Sequence, residues 1–460
     1  MENDERKNTK KGTRKKNVNY YYSYPKMVAF SFFLMIIIGT ILLMLPISVK
    51  DGSVGFTDAL FTATSATCVT GLVVFDTFTK WTLFGQIVIL CLIQIGGLGF
   101  ITIMTMLSRY IKKRVSLREK LLLKESVGNI YTGDTRKLVK NVIFGTVICE
   151  LAGAILLFTQ FISQMEFKNA LYTSVFLSVS AFCNAGFDVM GRIEAGSSLI
   201  TVNNNPVILL TISALIIIGG IGFIVWDDIL DKKVRVKRYQ LHTKLTLITT
   251  AILLLCSTLL YYVFERNNTL SQMSVGQGFL NAFFAGTTAR TAGFNSIPIA
   301  DMCEESKMLT NILMFIGGSS GSTAGGIKTA TMAVLFLCVL ATLNNSKDIE
   351  AFGRRITVDT VRKAVAIAFI NLSEVLVASV IITICQPELG YSNVLFECFS
   401  AIGTVGLGIG ITPMLELLPK IIIITLMFAG RITSLVFAFM FYLDINNKSS
   451  QKPKGNLLIG

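Results

Sequence analysis

Histidine is nearly absent: His242 stands alone in 460 residues, and none of the nine cysteines forms a C-x-x-C pair. That composition offers no Cys/His ligand set for zinc and no spacing for a disulfide framework. Charge is scarce too. Charged residues make up 15% of the chain against 52% apolar, and the mean hydropathy is +0.63, which excludes an ordinary soluble protein. The charge that remains is one-sided, at +14, which would suit nucleic acid if it covered one soluble face. Instead Lys and Arg alternate with apolar runs, so no nucleic-acid partner is expected.

Eight apolar runs approach the ~20 residues needed to cross a ~30 Å hydrocarbon layer: Met27–Leu45, Leu83–Leu107, Leu138–Phe161, Pro206–Trp226, Leu241–Phe264, Met308–Leu343 with an interruption, Val361–Cys385 and Leu417–Leu443. An even number places both termini on one side. Lys and Arg concentrate in 1–26, 109–140, 227–244, 346–363 and 444–460, which makes that side cytoplasmic by the positive-inside rule. The expected location is therefore the cell (plasma) membrane, multi-pass. Residues 1–26 have no apolar core and read as a basic tail that orients the first span or grips anionic membrane lipid.

A fourfold repeat appears when Gly71, Gly186, Gly293 and Gly406 are superposed without gaps. Ten residues earlier stand Phe61, Phe176, Phe283 and Phe396; six earlier, the hydroxyls of Ser65, Ser180, Thr287 and Ser400. Small residues follow at Ala66, Ala181, Thr288 and Ala401, and a large apolar side chain comes after each glycine: Leu72, Phe187, Phe294 and Leu407. A recurrence of about 110 residues marks an internal repeat. Each unit reads as span, short helix, glycine loop, span. The short helices cannot cross and are re-entrant from the outer side. Non-helical backbone at membrane depth is tolerated only where protein encloses it or water lines it. Four such loops satisfy this by meeting on one axis, with carbonyl oxygens replacing the hydration shell of a K⁺ ion. The expected fold is an all-α integral membrane protein of four pseudo-fourfold span–pore helix–span repeats, with eight transmembrane spans and four re-entrant pore loops. The units are a basic tail 1–26, repeats at 27–108, 138–226, 241–345 (with the broken sixth span) and 360–443, and a second tail at 444–460.

The segments Thr62–Val74, Ser178–Asp188, Thr287–Asn295 and Ser400–Gly408 resemble the pore loops of the Trk/Ktr/HKT superfamily of cation transporters. The likeness extends from about Lys26 to Tyr442 and is greatest to KtrB-type membrane subunits of bacterial Ktr K⁺ uptake systems. It implies a selectivity filter of Cys68, Val69, Thr70 and Gly71; Asn184, Ala185 and Gly186; Thr291, Ala292 and Gly293; and Thr404, Val405 and Gly406, binding K⁺ through backbone carbonyls. In the plant branch a serine at the first filter glycine accompanies Na⁺ transport; Gly71 here favours K⁺. The resemblance further implies a homodimer on a separate cytosolic nucleotide-binding ring subunit, no cofactor in this chain, and Na⁺ as a candidate activator. The basic loops 109–140 and 227–244 are candidate docking surfaces for the ring.

The sixth span is interrupted by Gly317, Gly318, Ser319, Ser320, Gly321, Ser322, Thr323, Ala324, Gly325 and Gly326. Glycine costs a helix about 1 kcal/mol relative to alanine, so the span breaks here. Gly321–Thr329 nearly spells a phosphate-binding loop, but Ile327 separates Gly326 from Lys328 and no strand precedes it, which rejects a nucleotide site. An irregular segment beneath the filter must line the pathway and is a gate; a packing kink is the alternative. The family likeness matches it to an intramembrane loop that obstructs the pore. It also makes Arg431 a residue that projects into the path. An arginine at the bilayer centre costs ~2.5–3.5 kcal/mol on insertion scales, so Arg431 should face the pathway or a carboxylate, the alternative being snorkelling to the cytoplasm.

Asp58, Asp76, Asp188 and Glu397 are expected at the outer mouth, and a salt bridge from Arg290 to a carboxylate such as Glu397 is the economical arrangement. Glu150 and Glu374, inside spans, are assigned structural roles. A membrane-embedded enzyme lacks any catalytic constellation here, because His242 has no partner at usable spacing. A Na⁺-selective or Na⁺/K⁺-cotransporting relative would share this architecture and differ at the filter.

Overall fold

The computed structural model describes residues 29–99, 135–233, 235–346 and 348–432. The basic tails 1–26 and 444–460, the loop 109–134, and the ends of the second and eighth apolar runs lie outside the described residues. The helices, in order, are α1 (Ala29–Met44), α2 (Phe56–Thr67), α3 (Leu83–Leu98), α4 (Thr135–Phe161), α5 (Phe167–Phe182), α6 (Pro206–Gly220), α7 (Phe223–Lys232) and α8 (Leu241–Glu265). They continue with α9 (Val275–Thr288), α10 (Glu304–Phe315), α11 (Thr329–Leu343), α12 (Val358–Cys385), α13 (Tyr391–Gly403) and α14 (Leu417–Ile432). A two-stranded antiparallel hairpin, β1 (Ile349–Ala351) and β2 (Arg354–Ile356), joins α11 to α12.

Local sequence starts these helices where expected. Asn205 caps α6 by accepting from the N–H groups of Val207 and Ile208 at 3.0 and 3.3 Å, with Pro206 at the first helical position. Ser274 and Gln277 form a reciprocal capping box on α9, satisfying donors a helix start leaves open.

Among the described residues, Lys140–Phe161, Leu241–Glu265 and Val358–Cys385 are long and apolar enough to cross a membrane; Ala29–Met44, Leu83–Leu98 and Thr329–Leu343 are shorter apolar helices. The fourth apolar run, expected to continue through Trp226, instead bends by 92° between α6 and α7. Gly222, at the bend, has φ +99°, a conformation that costs a side chain but not glycine. The sixth run is divided into α10 and α11, as its glycine content requires.

Apolar and polar residues are inverted relative to a soluble protein. Leu255, Phe369 and Ile384 face outward at 67%, 71% and 73% exposure, while hydroxyls such as Thr67, Ser180 and Ser400 are wholly enclosed. An apolar exterior is what lipid demands; polar side chains withdraw to the interior.

The packing is cyclic. α2, α5 and α13 each pack on the helix that follows them, α3, α6 and α14. Each following helix also packs on the short helix of the next unit: α3 on α5, α6 on α9, α10 on α13, and α14 back on α2. This circuit brings four loops, separated by about 110 residues of chain, to one place.

Candidate functional site

After α2, α5, α9 and α13 the chain turns through the same backbone sequence four times. Val69, Asn184, Thr291 and Thr404 have φ of +57°, +59°, +80° and +49°, and two residues later Gly71, Gly186, Gly293 and Gly406 have +97°, +70°, +81° and +88°. A left-handed residue away from glycine costs about 1–3 kcal/mol unless its surroundings hold it. Here main-chain bonds hold it: Thr70 N–H donates to Ser65 O at 2.8 Å, Ala185 N–H to Ser180 O at 2.8 Å and Val405 N–H to Ser400 O at 2.9 Å. Two of the aligned hydroxyls complete the turn, with Gly71 N–H donating to Ser65 Oγ at 3.0 Å and Gly406 N–H to Ser400 Oγ at 3.1 Å.

The third unit slips by one residue. Ala292 N–H bonds Thr288 O at 2.9 Å, and Thr288, not Thr287, turns its hydroxyl to the loop, donating to Phe294 O at 2.8 Å. Phe284 takes the enclosed place that Phe61, Phe176 and Phe396 occupy elsewhere, leaving Phe283 half-buried. The ungapped alignment therefore holds through the loop but not along α9.

The four glycines stand against one another in a closed ring. A Cβ on Gly186 would lie 2.6 Å from Ala292 O, and one on Gly293 would lie 2.5 Å from Val405 O. Gly406 meets Thr70 O and Gly71 meets Ala185 O in the same way. The carbonyls of Thr70, Ala185, Ala292 and Val405 thus alternate with the four glycines around one centre. Cys68 and Cys183 are enclosed behind the first and second loops.

Above the ring opens a cavity of about 270 Å³, floored by Gly71, Gly186, Gly293 and Gly406 and walled in part by Asp76 and Asp188. Burial, followed by the nearby Asp76, pushes the Asp188 carboxyl up to about 6 against the bond it accepts from Met190 N–H. Asp76 is engaged locally, accepting from Thr79 N–H at 2.8 Å and Gly196 N–H at 3.1 Å. Two expected mouth acids are elsewhere. Asp58 pairs with Lys420 at 2.8 Å, and Glu397 is 1% exposed, packed beneath Gly408. Arg290 forms no ion pair with Glu397; its guanidinium donates to Thr250 Oγ1 at 3.4 Å and lines a small cavity with Gly220 and Gly318. The reason is placement: Arg290 sits at the inner end of α9, whereas Glu397 lies near the outer rim.

Below the ring, residues 317–326 form a loop closed by a parallel bridge between Ile316 and Ile327. Its N–H groups at Ser319 and Thr323 donate to Gly220 O and Gly219 O at 2.9 and 3.3 Å, and Phe223 N–H returns a bond to Gly321 O at 2.8 Å. The loop is thereby fastened to the α6–α7 bend. Gly325 packs against Thr404 of the fourth turn. Arg431 donates to Thr323 O, to Gly96 O and, at 3.3 Å, to Gly97 O. It neither snorkels nor meets a carboxylate; the carbonyl end of α3 supplies the negative potential.

Gly96, Gly219 and Gly430 belong to this constellation although no loop motif marks them. Each lets its helix touch the last carbonyls of α2, α5 and α13, at Thr67, Phe182 and Ile402. Their trace in the sequence is a pair of small residues inside each following apolar run: Gly96-Gly97, Gly219-Gly220, Ala429-Gly430 and, in the third unit, Gly317-Gly318.

Comparison with known proteins agrees with this architecture. The chain is 39% identical over 453 residues to the potassium/sodium uptake protein NtpJ of Enterococcus hirae, covering 97% of this chain and 99% of that one. It is 39% identical over 441 residues to the Ktr system potassium uptake protein B of Bacillus subtilis, covering 95% and 97%. The crystal structure of the potassium transporter TrkH from Vibrio parahaemolyticus superposes with a TM-score of 0.68 at 18% identity, covering 90% of this chain and 85% of that one, a likeness of fold. Residues 9–451 match the TrkH cation transport protein family model, so the chain belongs to the TrkH family of cation transport proteins.

Proposed function

We propose that the protein conducts K⁺ inward across the plasma membrane through the four-loop ring as selectivity filter, with segment 317–326 and Arg431 as its gate. The observation that carries this is the cyclic contact of the four glycines with the carbonyls of Thr70, Ala185, Ala292 and Val405. Four equivalent walls of main-chain oxygen suit a dehydrated alkali cation, whereas an enzyme requires an asymmetric constellation of side chains. The eight-span, four-repeat arrangement with cytoplasmic termini belongs to the same reading, supported by the cyclic packing and the distribution of Lys and Arg. So do a homodimer and a cytosolic nucleotide-binding ring subunit, supported by the relatives named as components of Ktr systems. Residues 227–244 are the described part of the docking surface. Na⁺ acts, on this reading, as an activator at most.

Purified chain in liposomes is expected to take up K⁺ or rubidium without added nucleotide or proton gradient; absence of uptake with and without a cytosolic partner would sink the assignment. Gly71→Ser tests the filter itself. A Cβ there would lie 3.2 Å from Gly186 Cα, and the added hydroxyl supplies an oxygen suited to a smaller ion. K⁺ over Na⁺ discrimination should fall about tenfold, or ~1.4 kcal/mol, and unaltered discrimination would count against Gly71 in the filter.

The mouth cavity adds a pH dependence. Because Asp188 is held near 6 by burial, its negative charge is present at pH 7 and lost as external pH falls below about 6. Charge at a narrow mouth concentrates counter-ions. Uptake at subsaturating K⁺ should therefore drop severalfold between pH 7 and 5 in the wild type, and Asp188→Asn should be low and flat over that interval. A variant retaining the wild-type profile would remove Asp188 from the vestibule's field.

A further inference from the structure

Lys328 has no part in the reading above. It occupies the cap position before α11, with φ −78° and ψ 142° and no side-chain bond to the helix's free N–H groups. A helix start presents positive potential, so an ammonium here has the wrong sign for its position. The side chain turns back instead and donates to Ala324 O at 2.9 Å. Arg431, reaching from α14, donates to the carbonyl immediately before it, that of Thr323. Two adjacent carbonyls of the loop are thus each taken by a cationic donor, and the two donors come from different elements. Among the described ion pairs neither cation has a carboxylate partner. Like charges this close repel more strongly in a water-poor interior than in solvent; it is the main-chain oxygens that keep both in place.

We propose that Lys328 is the second half of a two-cation clamp that holds segment 317–326 across the pathway, its ammonium occupying at Ala324 the oxygen a passing K⁺ would otherwise coordinate. This rests on the reading of the segment as a gate. A K⁺ leaving the ring meets two fixed cations already bound to the oxygens it needs, so passage requires both bonds to open. Either cation alone still tethers the loop, because the carbonyl it holds is one residue from the one released. Removing both therefore raises flux by more than the product of the single effects. Lys328 is a positioning residue, and its charge and donor distinguish the clamp from simple packing.

Rubidium uptake is measured with the full chain in liposomes, normalised to monodisperse reconstituted protein. Lys328→Gln is expected to raise initial uptake about threefold to tenfold. Lys328→Arg, keeping charge and donor, should stay within about twofold of wild type. Lys328→Gln combined with Arg431→Ala should exceed the product of the two. Unchanged flux in Lys328→Gln, or an equal rise in Lys328→Arg, would overturn the clamp. Loss of monodisperse protein in both Lys328→Gln and Lys328→Met would make Lys328 a folding residue and overturn it as well. Deleting residues 319–324 separates the two ideas. Raised flux in the deletion with none in Lys328→Gln sinks the clamp and leaves the gate standing, whereas a folded deletion with ordinary flux sinks both.

Discussion

Gly186→Ala should reduce K⁺ uptake by more than tenfold while the protein remains folded. The new methyl would lie 2.6 Å from Ala292 O and 2.8 Å from Gly293 Cα, inside van der Waals contact of atoms that belong to the next loop's main chain. A side chain in the way could rotate; this backbone cannot, because Ala292 is itself held by Thr288. The φ of +70° adds a strain of about 1–3 kcal/mol for a residue with a Cβ. Both effects fall on the ring, where a shift of a few tenths of an ångström displaces the carbonyls that replace water around the ion. Gly52→Ala is the control: φ is +74° and nothing lies within 4 Å of the added Cβ, so the backbone strain is similar and uptake should persist. Normal uptake by a folded Gly186→Ala protein would mean that the ring is not the ion's route.

Arg431→Ala should act in the opposite direction, raising flux about tenfold. The guanidinium ties the loop at Thr323 to the end of α3 at Gly96 and Gly97, and hydrogen bonds to a charged group contribute about 1.5–3 kcal/mol. Losing even ~1.4 kcal/mol of that restraint shifts a blocked-to-open equilibrium tenfold. The same change removes a fixed positive charge from the path. Because the bonds also join α14 to α3, thermal unfolding should come a few degrees lower, which separates a weakened latch from a misfolded protein. A stable, monodisperse variant with wild-type flux would return Arg431 to a purely structural role. Charge alone can be tested with Arg431→Lys, which keeps the cation but cannot span two carbonyl groups from one planar head; an intermediate flux is expected.

These two substitutions lie at opposite ends of what sequence could reveal. Gly186 was legible because its role is local: a backbone that must turn left-handed needs glycine, and the same requirement imposed four times leaves the same spacing four times. Arg431 was legible only as an anomaly, a cation in an apolar run whose partner had to exist. The partner turned out to be main-chain carbonyls, which no side-chain motif records, so neither the carboxylate nor the snorkelling alternative describes it. The acids show the same limit. Asp76 and Asp188 reach the mouth, but Asp58 and Glu397 follow helices that turn them to Lys420 and to the underside of Gly408.

Periodicity misled in two places for one reason. Phe283 was aligned with three enclosed phenylalanines, and the fourth apolar run was read as continuous to Trp226. In each case the pattern of residue types was compatible with two registers or two paths, and packing chose between them. α9 lacks the close partner that α2, α5 and α13 have in the helix that follows, since α10 ends at Phe315; the slip buries Phe284 instead. The bend after Gly220 opens main-chain groups to the loop 317–326, which fills them. Hydropathy reports that a segment is apolar, not that its backbone must stay straight.

By itself the amino-acid sequence determined the class of protein, the fourfold recurrence, the left-handed turns and the broken sixth run, because each follows from composition, spacing or the stereochemistry of glycine at a single position. Tertiary structure alone decided which carbonyl each glycine faces, what Arg431 and Lys328 hold, and where α6 bends. Those depend on main-chain oxygens from segments far apart in the chain, and a carbonyl is the same in every residue, so nothing in the order of side chains marks which ones will meet.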